Sequence, residues 1–335
     1  MNISDISEFA FIERLSSSFA ELLPRGFTGI GDDCALFPKS AQESYAVSTD
    51  LLIENHHFYR NKIPPYSLGI KSLAVNLSDI AAMGAEPMAS FLSVGLPKDI
   101  SMDWLDSFTA GYKALSLKEN VPLCGGDTTA SPHICVSVTV IGFARNEAIR
   151  RRSMARAGDI ICCTSNLGDS GGGFLVLQSD IETGADEDFL LKRHYEPYPE
   201  IAAGKWLASR RGAGAMMDIS DGLVSDLEHI LAASGAAAFL NLEAIPLSAQ
   251  LKRCAERHGW DSLDLALNGG EDYCLLLTVA KDEFAGTSEK FFEAFGRPLF
   301  PIGGIEPMMS GGGKIRFLQN GKETAFTGKP FRHFR

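Results

Sequence analysis

Six short acidic signatures are spread along the chain, each setting a carboxylate beside glycine, serine or threonine: Gly31-Asp32-Asp33, Ser48-Thr49-Asp50, Asn76-Leu77-Ser78-Asp79, Gly125-Gly126-Asp127, Asp218-Ile219-Ser220-Asp221 and Gly269-Gly270-Glu271-Asp272. Glycine lets backbone amides approach a phosphate, carboxylate oxygens hold Mg2+, and hydroxyls support either task. A chain that uses these segments together must bring distant stretches of sequence to one place. That favours a rigid scaffold with the acids at strand ends, helix starts and helix faces.

The chain has 335 residues, more than one hydrophobic core usually organises, so about two domains are expected. The basic stretch Arg150-Arg151-Arg152 before Ala157-Gly158-Asp159 suggests a junction near residue 146, giving units 1–145 and 146–335. Asp5, Glu8 and Glu13 near the start argue against a secretory or mitochondrial leader, and no run of roughly 20 apolar residues is available to span a membrane. A cytoplasmic enzyme is the expected class. The seven cysteines form no C-x-x-C pair and several lie in apolar runs, as expected for reduced core thiols. A formal charge of -11 disfavours nucleic acid as a partner. It also means that a polyphosphate can be held only if cations intervene, which fits the excess of carboxylate.

Strand and helix patterns alternate. Residues 5–15 place Phe9, Ile12 and Leu15 at helical spacing, with Asp5 and Glu8 arranged as a capping box. Tyr45–Asp50 reads as a strand ending at Asp50. From Ser67 to Met83, Ile70, Leu73, Ala74, Leu77 and Ile80 mark a buried stripe, with Lys71, Val75 and Asp79 on another face and Gly84 as the stop. Strands are expected at Met88–Leu96, Ile134–Phe143, Ile160–Thr164 and Tyr273–Val279. Helices are expected at Trp104–Leu117, from near Phe174, and at Gly222–Ala233, the last with Ser220 as N-cap. Gly311–Gly313 reads as a turn.

The familiar nucleotide signatures are missing: there is no G-x-x-x-x-G-K-[ST] loop, no well-placed G-x-G-x-x-G and no H-R-D loop. Gly168-Asp169-Ser170-Gly171 before a helix could cradle an anion or could be a tight structural turn. Singly, each acidic signature is also explained by a turn, a cap or a strand start. Their joint appearance favours a multi-Mg2+ site.

The ordered motifs Gly-Asp-Asp-Cys-Ala, Ser-Thr-Asp, Asn-His-His-Phe, Ala-Val-Asn-Leu-Ser-Asp-Ile-Ala-Ala-Met-Gly-Ala, Gly-Gly-Asp-Thr-Thr, Asp-Ile-Ser-Asp-Gly-Leu and Gly-Gly-Glu-Asp-Tyr closely resemble the thiamine-monophosphate kinase family, from about Glu8 to Phe334. This family belongs to the superfamily of aminoimidazole-ribonucleotide synthetase. The resemblance implies a two-domain α/β (α+β) fold, with an N-terminal sheet forming a barrel across a homodimer and a C-terminal α/β sandwich. It implies transfer of phosphate from ATP to thiamine monophosphate. Asp33, Asp50, Asp79, Asp127 and Asp218 would be the catalytic acids. Together with Ser48, Thr49 and Asp221 they would bind several Mg2+ ions. Tyr112, Gly126, Asp127, Arg152 and Ser220 would contact ATP, and His57, Glu271 and Phe331 would line the thiamine-phosphate pocket.

Two alternatives stay open. Another enzyme of the superfamily would use ATP on a different acceptor, although the segment before Gly31 lacks the reactive Cys and nearby Lys of a selenophosphate synthetase. A catalytically silent nucleotide or metal sensor would keep the same ligands.

Overall fold

The computed structural model describes residues 8–179, 181–308 and 315–326. Two sheets organise them. The first contains β1 (Ala35–Pro38), β2 (Glu43–Ile53), β3 (Glu86–Leu96), β4 (Leu123–Ala130) and β5 (Cys135–Arg145), in the order β1-β2-β5-β3-β4. The second contains β6 (Ile160–Cys163), β7 (Ala213–Asp218), β8 (Ala236–Asn241), β9 (Leu275–Val279), β10 (Phe300–Pro307), β11 (Ile315–Gln319) and β12 (Lys322–Thr324), in the order β12-β11-β8-β10-β6-β9-β7. Both sheets are mixed: β3–β4 and β11–β8 are the parallel pairs. Ten α-helices accompany them among the described residues: α1 (Glu8–Phe19), α2 (Pro65–Ala82), α3 (Met102–Glu119), α4 (Asp169–Gln178), α5 (Ala185–Tyr195), α6 (Ile201–Ala208), α7 (Leu223–Ser234), α8 (Ala249–His258), α9 (Ser262–Asn268) and α10 (Phe284–Phe295).

Strand β5 alternates with period two, burying Val136, Val138 and Val140 against α2, on which α3 packs. The helices approach closely because neither side of their contact has a side chain in the way. A Cβ on Gly69 would come within 2.1 Å of the Phe108 carbonyl oxygen, and one on Gly111 within 1.8 Å of that of Tyr66. α2 is the central element. Leu68, Leu73, Leu77 and Ile80 are completely enclosed, and its core extends through α6, β7 and β9 by way of Leu207, Met216, Leu275 and Leu277. One apolar core therefore joins the two sheets, which holds their loops in fixed relation. A second core lies between β6–β10 and α7, built from Ile161, Met217, Leu227, Ile230 and Leu276.

The expected stripe on α2 and its stop at Gly84, with φ +68°, match this arrangement. Elsewhere the boundaries move. β2 continues three residues beyond Asp50 because its whole length pairs with β5. α4 starts at Asp169, not near Phe174, since three glycines hide its helical pattern. β9 starts at Leu275, because Tyr273 is in a left-handed conformation that cannot join a ladder. β4 carries the Gly125-Gly126-Asp127 signature on an edge strand exposed throughout, where no buried alternation announces it.

α1 is longer than its pattern suggested, and its apolar side is uncovered among the described residues: Phe11, Leu15 and Phe19 are exposed. Asp5 of the expected capping box, the Gly311–Gly313 turn and Phe331 lie outside the described residues. All seven cysteines are free thiols, five of them buried. Among the described residues, no helix is long and apolar enough to cross a membrane.

Candidate active site

A cavity of about 320 Å³ opens where β2, α2, β7 and the loop after α9 meet. Asp50, His57, Val75, Asp79, Asp218, Ser220, Asp221 and Glu271 line it, together with Ser170, Phe174, His194 and Tyr273. Asp33, Asp79 and Asp218 each place one carboxylate oxygen within 4.8 Å of the others. Three segments far apart in sequence thus meet at one end of the pocket.

Hydrogen bonds orient this cluster without neutralising it. Ser48 Oγ donates to Asp79 Oδ2, and Ser78 Oγ donates to Asp218 Oδ2 at 2.5 Å. Asp50 lies in the same strand, its backbone N–H donating to Asn76 Oδ1 at 3.0 Å. Arg152 is the cation in contact, its guanidinium 2.5 Å from Asp33 Oδ1, while its backbone N–H donates to Asp32. The other oxygen of Asp33 is buried with no hydrogen-bond partner. Burial pushes Asp32 and Asp50 up to about 6 and Asp218 up to about 7. Asp33 and Asp79 are raised by the same cause, Asp79 further by the charges of Asp50, Asp218 and Asp33. Hard oxygen donors in this number, mutually repelling and with one orphaned oxygen, are the donor set that a divalent cation such as Mg2+ requires.

At the other end, Lys71 Nζ lies 2.9 Å from Glu271 Oε1, and His194 Nδ1 lies 3.2 Å from Glu271 Oε2. Burial would raise Glu271, but Lys71, His194 and His57 outweigh it and hold the carboxyl below its ordinary range. His57 Nδ1 accepts from the Ile53 backbone N–H at 3.0 Å, so the neutral ring carries its proton on Nε2.

The remaining expected residues fall elsewhere. The Thr49 hydroxyl donates to the Val138 carbonyl and accepts from Thr139, so it is turned along β5, away from Asp79. Asp127 and Gly126 lie on β4, separated from β2 by two strands or roughly 14 Å. Tyr112 is 3% exposed inside the first core, and burial pushes its phenol up to about 12. None of these lines the pocket.

Two helix starts also differ from expectation. Ser220 is not the N-cap of α7: the helix begins at Leu223 after Gly222, which offers no side-chain cap, and Asp226 Oδ2 holds the preceding turn by accepting from the backbone N–H groups of Ser220, Asp221 and Gly222. At α4 the amides of Gly168 and Ser170 donate to Asp272, so the glycine-rich turn is filled by the protein's own carboxylate and is not an open anion cradle. Sequence reasoning also missed Lys71, Ser170, Phe174 and His194 as pocket or network residues. Lys71 alone gave a signal, as a charge within an otherwise apolar helix.

The N-terminal domain model of AIR synthase related proteins matches residues 31–144, and the corresponding C-terminal domain model matches 156–306. Thiamine-monophosphate kinase of Salmonella typhimurium is 38% identical over 92% of this chain and 92% of its own length. That of Escherichia coli is 38% identical over 91% of each. The chain belongs to the thiamine-monophosphate kinase family. Among solved members of this family, one described as "AaThiL complexed with AMPPCP and TMP" superposes with a TM-score of 0.85 at 30% identity, covering 100% of this chain and 99% of that one. The Stenotrophomonas maltophilia enzyme superposes with a TM-score of 0.75 at 35% identity, covering 95% and 98%. The two-domain α/β fold of the AIR synthase related proteins is therefore the fold of this chain.

Proposed function

We propose that this chain transfers the γ-phosphoryl group of ATP to thiamine monophosphate, giving ADP and thiamine diphosphate. Relatives named thiamine-monophosphate kinase support this reading, as does the similar solved structure that holds an ATP analogue and TMP. The observation that carries it within the chain is the convergence of Asp33, Asp79 and Asp218 at one end of a pocket whose other end presents Glu271 and His57. An oxygen of the thiamine monophosphate phosphate attacks the γ-phosphorus as the bond to the β–γ bridging oxygen breaks, and ADP leaves. A phosphate monoester oxygen needs no strong general base, so transfer is direct, with no phosphoenzyme.

Asp33, Asp50, Asp79 and Asp218, with Ser48 and Asp221, would hold Mg2+. Bound there, Mg2+ supplies neutralisation of phosphate charge. The chain's own contribution is positioning. Ser48 and Ser78 aim the carboxylates, Arg152 anchors Asp33, and His57 offers its Nε2–H to the pocket. Arg152 and Ser220 toward ATP, and Phe331 toward the thiamine end, remain part of this proposal.

We further propose a homodimer in which the first sheets pair into a barrel. Leu51, Met88, Phe91 and Leu123 are large apolar side chains left exposed on strands of that sheet, which favours a covering partner. Asp127, Gly126 and Tyr112 would then act where the nucleotide lies near the interface, as would the backbone of Thr49. A cytoplasmic location belongs to the same reading. Incubating the protein with Mg-ATP and thiamine monophosphate and separating the products by chromatography tests the reaction, with thiamine diphosphate expected. ATP binding without product would sink it. Light scattering should give twice the 36.2 kDa chain mass.

A further inference from the structure

Behind the residues that line the pocket lies a buried lysine that none of the acidic signatures includes. Lys71 is 1% exposed, and its Nζ donates to the His194 carbonyl at 3.2 Å while pairing with Glu271 Oε1 at 2.9 Å. His194 Nδ1 faces the other Glu271 oxygen at 3.2 Å and Ser170 Oγ at 3.0 Å. Buried beside an ammonium, the His194 ring is neutral. Burial, aided by Lys71, pushes His194 down to about 4, which agrees. Both oxygens of Glu271 are thus engaged from behind, and one side of the side chain stays open to the pocket.

Stability does not explain this arrangement. Taking an ammonium out of water costs several kcal/mol, and an apolar residue would fill the same volume more cheaply. The backbone is constrained too. Glu271 and Tyr273 are both left-handed, with φ of 57° and 48°, and are tied by backbone N–H donation to Ser220 O at 2.7 Å and Ile219 O at 2.8 Å. Strained residues persist only where their surroundings fix them, so the direction of the Glu271 carboxylate is strongly specified. Lys71, Val75 and Asp79 share one face of α2, at spacings of four residues. Asp79 belongs to the acidic cluster and Lys71 holds Glu271, so eight residues of helix, a rise of about 12 Å, separate the two ends of the pocket.

We propose that Lys71 is a positioning residue that fixes Glu271 as a directed hydrogen-bond acceptor for the organic end of the substrate, with α2 setting its distance from the acidic cluster. This rests on the reaction proposed above. Because Lys71 and Glu271 cancel each other's charge, Glu271 does not serve as a free counter-ion for the thiazolium. It suits an N–H donor such as the amino group of the aminopyrimidine ring. α2 then selects molecules whose phosphate and N–H donor stand at the matching separation.

Steady-state constants for both substrates test this in the unaltered protein and in Lys71→Met, Glu271→Gln and the double variant. Lys71→Met is expected to raise KM for thiamine monophosphate roughly tenfold to a hundredfold, the size of one hydrogen bond to a charged group, leaving KM for ATP and kcat nearly unchanged. Glu271→Gln should do the same, and adding Lys71→Met to it should change little further, as expected when one residue acts through the other. If the Lys71→Met chain does not fold, the double variant, which leaves no unpaired buried charge, supplies the measurement. An unchanged KM for thiamine monophosphate in a folded Lys71 or Glu271 variant overturns the inference, as does a parallel rise in both KM values. Absence of thiamine diphosphate with the unaltered protein instead overturns the reaction itself.

Discussion

Two clusters of buried acids in this molecule have opposite electrostatics. On the α5–α8 side, Glu187 is 1% exposed yet meets Arg257 and, at 2.8 Å, His258 Nε2, with Arg253 and Arg257 on neighbouring Asp186. Hydrogen bonding to His258, against the opposing effect of burial, brings Glu187 down to about 2. At the pocket, Asp33, Asp50, Asp79 and Asp218 share the single contacting cation Arg152 among the described residues and are all raised. The first cluster is complete as folded. The second carries negative charge that the chain does not balance, so its residues serve something that binds. Burial of carboxylates alone does not mark a site; burial without compensation does.

The largest expected contrast comes from Asp79→Asn. It should lower kcat by a factor on the order of 10² to 10³, the loss of one preorganised electrostatic contact, and leave the metal-free protein melting no lower than the parent because repulsion is relieved. Near-normal turnover would remove Asp79 from the site. Next, Mg2+ should stabilise the protein by about 2.7 kcal/mol at a hundred times its dissociation constant, seen as a raised melting temperature that chelation reverses. The shift should be larger at pH 8 than at pH 5.5, because Asp50 at about 6 and Asp218 at about 7 must release protons to bind the ion. A shift independent of pH would break the contrast.

A smaller effect is expected in the other cluster. Glu187→Gln should cost about 1–3 kcal/mol in denaturant unfolding, by weakening charged hydrogen bonds, with kcat unchanged. The smallest is its acid dependence. Because Glu187 is depressed in the folded state, its stabilisation is present above about pH 4.5 and lost as pH falls toward 2. The difference in melting temperature between parent and Glu187→Gln should therefore narrow below pH 4.5. A constant difference would mean that Glu187 acts through shape alone.

Much of the scaffold was legible because it depends on local periodicity. The α2 stripe and the separate face holding Lys71, Val75 and Asp79 follow from 3.6 residues per turn, and β5 follows from its two-residue alternation. β4 was not placed as a strand because an exposed edge has no buried face to alternate. The N-cap of α7 was misread as Ser220 because the chain runs two residues further before it turns helical, and the Asp226 carboxylate gathers the intervening amides, which only the fold decides. Likewise, Asp272 in the α4 amides depends on a contact across the second domain.

The sequence by itself determined which residue types could hold phosphate and metal, because carboxylates beside glycine and hydroxyl residues have that chemistry wherever they stand. It also determined the elements that carry them, since hydrogen bonding and side-chain spacing along one segment are local. Tertiary structure alone decided which acids remain uncompensated, that Arg152 anchors Asp33, and that Lys71 meets Glu271. Charge balance and desolvation depend on every neighbour within a few ångströms, and those neighbours come from segments that chain order does not bring together.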